Sequence, residues 1–387
     1  MSVTAATGFV ASGVRAGIRR SGLDLAIVRS VTPAVGAAVW TTNRVQAAPV
    51  IVSRRHLGCA EPQAVVVNSG VANAATGTQG IEDAERTATE AASLLGLKTE
   101  EVVVLSTGVI GAPLPMQRLL ASLPQGVAGL STAGGQDAAT AILTTDRGPK
   151  QATATGTGFT VGGMAKGAGM IHPRLATMLA IVTTDYPLAS DEAGRLLRNA
   201  VDMSFNRVSV DGECSTNDAV VLLANGASGI ERSAAGDAEL AAALGEVCAA
   251  LARQIVEDGE GATVLLEIEV AGASSEAEAT AIARRIATSP LVKTAAFGRD
   301  PNWGRVLAAA GSAPWNGGFA QLDPERLTLA FDGTVVFDRG STTGRVPVLE
   351  GSAVRIELDL GLGSGSASYL ASDLTHDYVT LNSEYTT

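Results

Sequence analysis

Two short apolar runs flank a helix-like segment in the first third of the chain, and this arrangement constrains the fold most. Ala64–Asn68 and Val102–Leu105 are typical of buried strands, and the turn-like stretches Asn68–Gly70 and Ser106–Gly108 end them. Between them, small and aliphatic residues recur at helical spacing before Gly96: Ala84, Ala88, Ala91, Ala92 and Leu95. Strands that alternate with helices predict a mixed α/β fold.

The later part of the chain carries one strong helix pattern and several alternating strands. The helix pattern closes at Asp258-Gly259 and is formed by Leu240, Leu244, Val247, Leu251 and Ile255. Ser275 and Glu278 have the spacing of a capping box, and Asp332-Gly333 predicts a hairpin turn. We place a domain boundary near Gly272, which gives a main domain of residues 1–272 and a smaller lobe of residues 273–387.

Composition narrows the class of protein further. Of the 387 residues, 46% are hydrophobic and 17% charged, which favours a folded core, and only 4% are aromatic. The net charge of −11 argues against nucleic acid or an anionic membrane as a partner. The first residues have no signal-peptide pattern, and no apolar run reaches 18 residues, so we expect a cytoplasmic protein.

The sequence offers little for metal or cofactor chemistry. Three cysteines and three histidines are scattered without metal-ligand spacing. No complete dinucleotide loop, P-loop or GxSxG elbow occurs, and so few histidines make a Ser-His-Asp triad a poor candidate. We therefore expect no metal and no bound cofactor, and a nucleophile that uses a different base.

A threonine can use its own α-amine as that base once the peptide bond before it is cut. The amine has a reference pKa of about 7.7 to 8.0, so part of it is unprotonated near neutral pH. In the segment Lys166–Asp185, Gly167 and Gly169 precede small Ala176, Thr177 and a strand-like run. From these residues alone, an ordinary threonine opening a buried strand is the more common interpretation.

A set of motifs in this chain resembles the ornithine acetyltransferase family, also called glutamate N-acetyltransferase, whose members cut themselves at the Ala-Thr bond of a KGxGMxxPxxATML motif. Here that motif begins at Lys166. The other matching segments span nearly the whole chain: Thr41–Val50, Ser106–Gly111, Thr144–Lys150, Asp211–Val220, Asp258–Thr263, Ser289–Ala309 and Asp373–Thr387.

The resemblance implies roles for individual residues. It implies cleavage between Ala176 and Thr177 into chains 1–176 and 177–387, with Thr177 as the nucleophile. It implies that the Gly108 amide and the Thr107 hydroxyl stabilise the oxyanion. The substrate-binding residues that it implies are Thr144, Lys166, Thr177, Glu260, Asn382 and Thr387. Lys166 suits an α-carboxylate and Glu260 the distal ammonium of ornithine.

The resemblance also implies a fold and a reaction. The fold is a layered αββα sandwich with a smaller C-terminal α/β lobe, and two cleaved copies pair as a heterotetramer. The reaction moves acetyl from N-acetylornithine to glutamate through acetyl-Thr177, and part of the family also uses acetyl-CoA as a co-substrate. The residues leave open whether acetyl-CoA is used here.

Two other interpretations stay open at this point. One is a self-cleaving relative with another substrate, either in secondary metabolism or as an aminopeptidase. The other is an uncleaved binding protein. Three residues also depart from the usual family pattern: Val71, Ala75 and Arg174.

Overall fold

The computed structural model describes residues 2–172 and 178–384, and these form two compact units. The first comprises the chain up to Asn206 together with Glu213–Ile255, and the second comprises Arg207–Gly212 and the chain from Val256 onward. The domain boundary near Gly272 stays a prediction, because a division by packing does not test which segments fold independently.

The elements of the chain up to the end of the first unit are, in order, β1 Phe9–Val14, β2 Leu25–Ser30, β3 Val35–Trp40, α1 Ala48–Leu57, β4 Ala64–Val71, α2 Gly77–Leu95, β5 Val102–Val109, α3 Met116–Ala128, α4 Gly135–Ala141, β6 Lys150–Gly156, β7 Phe159–Lys166, β8 Leu179–Thr184, α5 Ser190–Asp202, β9 Val208–Ser209, β10 Ala219–Ala224 and α6 Ala234–Glu257. Of these, β9 belongs to the second unit.

The remaining elements, all in the second unit, are β11 Leu265–Ala273, α7 Glu276–Ala287, α8 Pro290–Phe297, α9 Trp303–Gly311, β12 Pro314–Trp315, β13 Gly318–Phe319, β14 Thr328–Phe331, β15 Thr334–Asp338, β16 Ser341–Thr342, β17 Ala353–Asp359, β18 Gly365–Ser372 and α10 His376–Glu384.

Two sheets form the centre of the first unit. One has the strand order β1-β2-β4-β5, and the other has the order β3-β10-β8-β7-β6. Each contains one parallel pair, β4 with β5 and β8 with β10, and the other neighbours are antiparallel. The pairing of β4 with β5 brings the two predicted strand runs of the first third side by side.

Alternate residues of each strand face different cores, as the twofold period of a strand requires. In β4, Val65 and Val67 pack into the core between the two sheets, whereas Val66 packs with α2 and α3 on the outer side. On the second sheet, a Cβ at Gly163 of β7 would lie 2.8 Å from a methyl group of Val247 in α6. The first unit is therefore layered helix, sheet, sheet, helix, as the resemblance implied.

The second unit is a smaller α/β lobe. Its seven-stranded sheet has the order β16-β15-β14-β17-β11-β18-β9, and α7 packs against β11 and β18. The predicted hairpin is present, since Asp332 and Gly333 join β14 to β15 with φ angles of 46° and 76°. The predicted capping box is only half formed: Ser275 accepts the amide of Glu278, but the Glu278 carboxylate accepts the amide of Gln321 instead.

The structure corrects two strand ends. The turns that were expected at Asn68–Gly70 and Ser106–Gly108 are absent from these described segments, because β4 continues to Val71 and β5 to Val109. Aliphatic runs mark only the buried middle of a strand, and the polar ends pair just as well in the ladder.

Candidate active site

Thr107 and Gly108 lie near the end of β5, where its pairing with β4 becomes irregular. Gly108 is opposite Gly70, and Val71 pairs with both Thr107 and Val109. This is a β-bulge, which re-aims the backbone groups of a strand. Thr107 is buried, at 2% exposure. In place of the strand-ending turn that the sequence predicted, the structure has a bulge inside a strand.

Gly108 is required at this bulge for two reasons. Its φ is +130°, in a region that side chains disfavour. A Cβ on Gly108 would also lie 2.2 Å from the carbonyl carbon of Gly70 and 2.6 Å from the nitrogen of Val71. Both contacts are with backbone, which cannot move aside as a side chain can. Any other residue at position 108 would force β4 and β5 apart.

Asp146 gathers several groups around the end of β7. Its carboxylate accepts the amide of Thr144 at 3.0 Å and the amide of Gly167 at 2.6 Å. It also accepts a hydrogen bond from Lys150 Nζ at 2.7 Å, and Lys166 Nζ lies 3.9 Å away. The structure thus brings together the two predicted substrate-binding residues Thr144 and Lys166 around a residue for which the sequence had suggested no role.

The charged groups of this cluster are buried. Both lysine side chains are nearly inaccessible, and the Asp146 side chain is fully buried. Burial alone would raise the pKa of Asp146, but the charges of Lys166 and Lys150 outweigh it and hold that pKa well below its usual value. The ammonium groups of Lys150 and Lys166 are donors of the kind that bind a substrate carboxylate.

The start of β8 is held by Asp218, the residue just before β10. Asp218 is completely buried, and its Oδ1 accepts the amide of Met178 at 2.9 Å. Its Oδ2 has no hydrogen-bond partner within the described part of the chain. Burial raises the pKa of Asp218 well above its usual value. The Met178 amide, the charge of Lys166 and the hydroxyls of Thr41 and Ser215 oppose this only in part.

Asn217, the residue before Asp218, reaches the other sheet. Its Nδ2 donates to the carbonyl of Ser106 at 2.8 Å and to the carbonyl of Ala72 at 2.6 Å. The side chain is 4% exposed. Buried amides must satisfy their donors, and Asn217 does so with the backbone of β5 and of the segment after β4.

In the second unit, two other predicted substrate-binding residues are in contact. Asn382 of α10 donates its Nδ2 to Glu260 Oε2 at 2.9 Å. The start of α10 is tied to the same turn, because the Thr375 hydroxyl donates to the carbonyl of Gly261 at 2.8 Å. The C-terminal segment therefore folds back onto the turn at Glu260. This return is needed if Asn382 is to contact the substrate, as the resemblance implied.

Ala176, Thr177 and Thr387 lie outside the described residues, as does Arg174. Of the other departures from the family pattern, Val71 takes part in the bulge opposite Thr107. Ala75 has a φ of 56°, which is uncommon for a residue with a Cβ.

Sequence reasoning gave no role to four residues that order this region: Asp146, Lys150, Asn217 and Asp218. All four stand in segments that matched the family motifs. The sequence did contain a signal for Asp218, because this acidic residue stands directly before the apolar run Ala219–Ala224, which is buried. Such a charge usually has a specific partner.

Several features of the described residues bear on other chemistry. All three cysteines are described, and none is in a disulfide. No group of three or more potential metal ligands occurs among residues 2–172 and 178–384. No helix in the same ranges is long and apolar enough to cross a membrane.

Comparison with known proteins identifies the class of enzyme and then the family. The arginine biosynthesis bifunctional protein ArgJ of Geobacter sulfurreducens is 46% identical over 394 residues, which cover 98% of this chain and 99% of that protein. The protein of the same name from Mycolicibacterium paratuberculosis is 49% identical, covering 99% of this chain and 96% of its own. These relatives are enzymes of arginine biosynthesis. The ArgJ family model matches residues 10–387, and the chain belongs to the ArgJ family.

A solved structure is also similar in sequence. The ornithine acetyltransferase of Mycobacterium tuberculosis, crystallised with ornithine, is 46% identical in an alignment that covers 44% of this chain and 94% of that chain, with a TM-score of 0.44.

Proposed function

We propose that this chain transfers the acetyl group of N-acetylornithine to glutamate through an acetyl ester on Thr177. Membership of the ArgJ family makes the chain an acetyltransferase of arginine biosynthesis. The observation that carries the substrate assignment is the buried cluster of Asp146, Lys150 and Lys166, because a lysine ammonium is a suitable donor to the α-carboxylate that both substrates share.

The proposed reaction begins with self-cleavage. The Thr177 hydroxyl attacks the carbonyl of Ala176, and water resolves the resulting ester, which leaves a free α-amine on Thr177. In acetyl transfer, that amine takes the hydroxyl proton as the oxygen attacks the acetyl carbonyl. The Gly108 amide and the Thr107 hydroxyl stabilise the oxyanion, and one such donor is typically worth about 2.7 to 4 kcal/mol.

Ornithine then leaves with the proton from the α-amine, and the amine of glutamate attacks the acetyl ester to give N-acetylglutamate. Glu260, oriented by Asn382, is proposed to bind the distal ammonium of ornithine. Thr144 and Thr387 are proposed to add polar contacts to the substrate. We also propose that two cleaved copies associate as a heterotetramer and that the enzyme is cytoplasmic.

The test combines purified wild-type protein with N-acetylornithine and glutamate. We expect equal amounts of ornithine and N-acetylglutamate, together with a transient acetyl adduct on the 177–387 chain by mass spectrometry. T177A should give neither product. Release of ornithine without acetylglutamate would indicate hydrolysis instead, and hydrolysis of small peptides would favour the aminopeptidase alternative.

A second activity is favoured by the name of the relatives, which describes them as bifunctional. We propose that acetyl-CoA also acetylates Thr177, so that glutamate is acetylated without N-acetylornithine. Free thiol released from acetyl-CoA in the presence of glutamate measures this directly. Thiol release that is equal with and without glutamate would contradict it.

A further inference from the structure

Two consecutive residues, Asn217 and Asp218, bind the backbone at one strand in each of the two sheets of the first unit. Asn217 Nδ2 donates to the carbonyl of Ser106 in β5 at 2.8 Å. Asp218 Oδ1 accepts the amide of Met178, the residue before β8, at 2.9 Å. Both side chains are buried, so water does not compete for these hydrogen bonds.

The two contacts fall next to the proposed reacting groups along the chain. Ser106 is bonded to Thr107, and Met178 is bonded to Thr177. Asn217 and Asp218 therefore bind backbone groups that are one residue away, along the sequence, from the two proposed reacting residues.

We propose that Asn217 and Asp218 are positioning residues that hold the oxyanion strand and the nucleophile's backbone in register. Asn217 fixes β5 beside Thr107, and Asp218 fixes the backbone at Met178. The Oδ2 atom of Asp218 is the hydrogen-bonding group left for the α-amine that cleavage creates on Thr177. This inference rests on the proposed function.

A comparison with Asp185 indicates that the role of Asp218 is more than structural. Asp185 directly follows β8, is also buried, and uses both carboxylate oxygens to accept backbone amides, from Thr7 at 2.8 Å and from Thr160 at 2.7 Å. Asp218 satisfies only Oδ1 within the described residues. The hydroxyls of Thr41 and Ser215 lower the pKa of this carboxyl but do not bond Oδ2, which leaves that oxygen available to a reacting group.

The proposed role gives a reason why a carboxyl is buried here despite the free-energy cost of burying it. Burial opposes its charged form, and the largest favourable contribution comes from the Met178 amide. An apolar residue would avoid that cost if only packing mattered.

The experiment compares D218L, D218N and N217L with wild type, and uses D185N as the matched control. Self-cleavage is followed by intact mass after expression and during incubation, and folding by circular dichroism and Tm. Acetyl transfer is then measured on the cleaved fraction of each variant.

We expect D218L and N217L to be folded but to cleave at least about tenfold more slowly, the effect of losing one buried hydrogen bond to a charged or amide partner. D218N keeps an acceptor for Met178 and should be slowed less than D218L. Because it loses the second oxygen, cleaved D218N should show a kcat at least about tenfold lower with little change in KM. D185N should have a lower Tm but the cleavage rate and kcat of wild type.

Folded D218L and N217L that cleave like wild type would overturn the proposal. If D218L fails to fold, an unchanged kcat in cleaved D218N would overturn it instead. An inactive, uncleaved wild-type protein would contradict the proposed function itself, whereas an active wild type with equally active variants would remove only the role of this pair.

Discussion

Asp146 accepts the backbone amide of Gly167 at 2.6 Å, so a carboxylate from the loop before β6 fixes the chain directly after β7. Gly167 follows Lys166 and opens the segment that leads to the predicted cleavage site. The same carboxylate pairs with Lys150. Asp146 therefore determines the backbone and the charge balance at the entrance to that segment.

The first prediction concerns Asp146→Asn. The change removes the carboxylate of the buried ion pair with Lys150, and removing one partner of a buried ion pair typically costs about 3 to 5 kcal/mol. The cost is the difference in the free energy of unfolding between T177A with and without D146N, measured by denaturant unfolding. The T177A background is used because it should keep the chain intact. Asp137→Asn, an exposed residue, should change stability by no more than about 0.5 kcal/mol.

The pKa of Asp146 adds a pH dependence with a definite sign. Because its pKa is lower in the folded protein than the ordinary 3.8, the folded state stays ionised where the unfolded chain has bound a proton. The stabilisation is present above pH 3.8 and is lost as the pH falls below it. D146N should lack this acid-dependent loss of stability. Parallel curves of stability against pH for the two proteins would contradict the lowered pKa of Asp146.

The second prediction concerns Gly108→Ala. The added Cβ meets the backbone of Gly70, and the positive φ alone costs roughly 1 to 2 kcal/mol for a residue with a Cβ. We expect the bulge to be distorted and self-cleavage to fall below detection by intact mass. Gly111→Ala is the control, since Gly111 has a φ of +81° but no atom within 4 Å of the added Cβ. Normal cleavage in G108A would show that the bulge does not shape the oxyanion site.

The third prediction concerns Glu260→Gln. Glutamine keeps an oxygen that can accept from Asn382 but removes the negative charge. A hydrogen bond to a charged group contributes about 1.5 to 3 kcal/mol, so KM for N-acetylornithine should rise roughly 10- to 100-fold while the Tm changes little. Glu90→Gln, on an exposed position of α2, should leave both unchanged. An unaltered KM in E260Q would exclude Glu260 from ornithine binding.

The fourth prediction concerns Lys293, a buried lysine of α8. Its Nζ donates to the carbonyl of Ser372, and burial lowers its pKa to about 8, although Asp373 and Asp211 partly oppose the shift. Between pH 8 and the ordinary 10.5, the unfolded chain holds a proton that the folded protein has lost. Stability from this site should therefore rise with pH across that window, by a few kcal/mol in total.

Lys293→Met removes the titrating group and should abolish that rise. The measurement is Tm against pH from 7.5 to 10.5 for both proteins, with Lys98→Met, an exposed change, as the control. A difference in Tm between wild type and K293M that stays constant with pH would contradict the lowered pKa of Lys293.

Features set by short-range patterns could be predicted from the sequence. The periodic leucines of α6 and the Asp332-Gly333 turn need only neighbouring residues, and both are confirmed. The ends of β4 and β5 could not be predicted, because the bulge depends on how Gly70 meets Gly108 across two strands. Pairings of that kind are set by tertiary packing.

The same limit applies to the candidate site. Thr107, Gly108 and Lys166 were named through resemblance, since no local pattern marks them. The contact of Asp218 with Met178 joins residues 40 positions apart, and that of Asp146 with Gly167 joins residues 21 apart. A sequence shows that these residues are polar, but only the fold shows which backbone amides they hold.

The most direct test of the account is the intact mass of the purified wild-type chain, with N-terminal sequencing of any fragments. The account predicts two associated fragments, residues 1–176 and 177–387, the second beginning with Thr177, and a single uncleaved species in T177A. A fully active protein that remains one 39.1 kDa chain, or a cut at another bond, would contradict it.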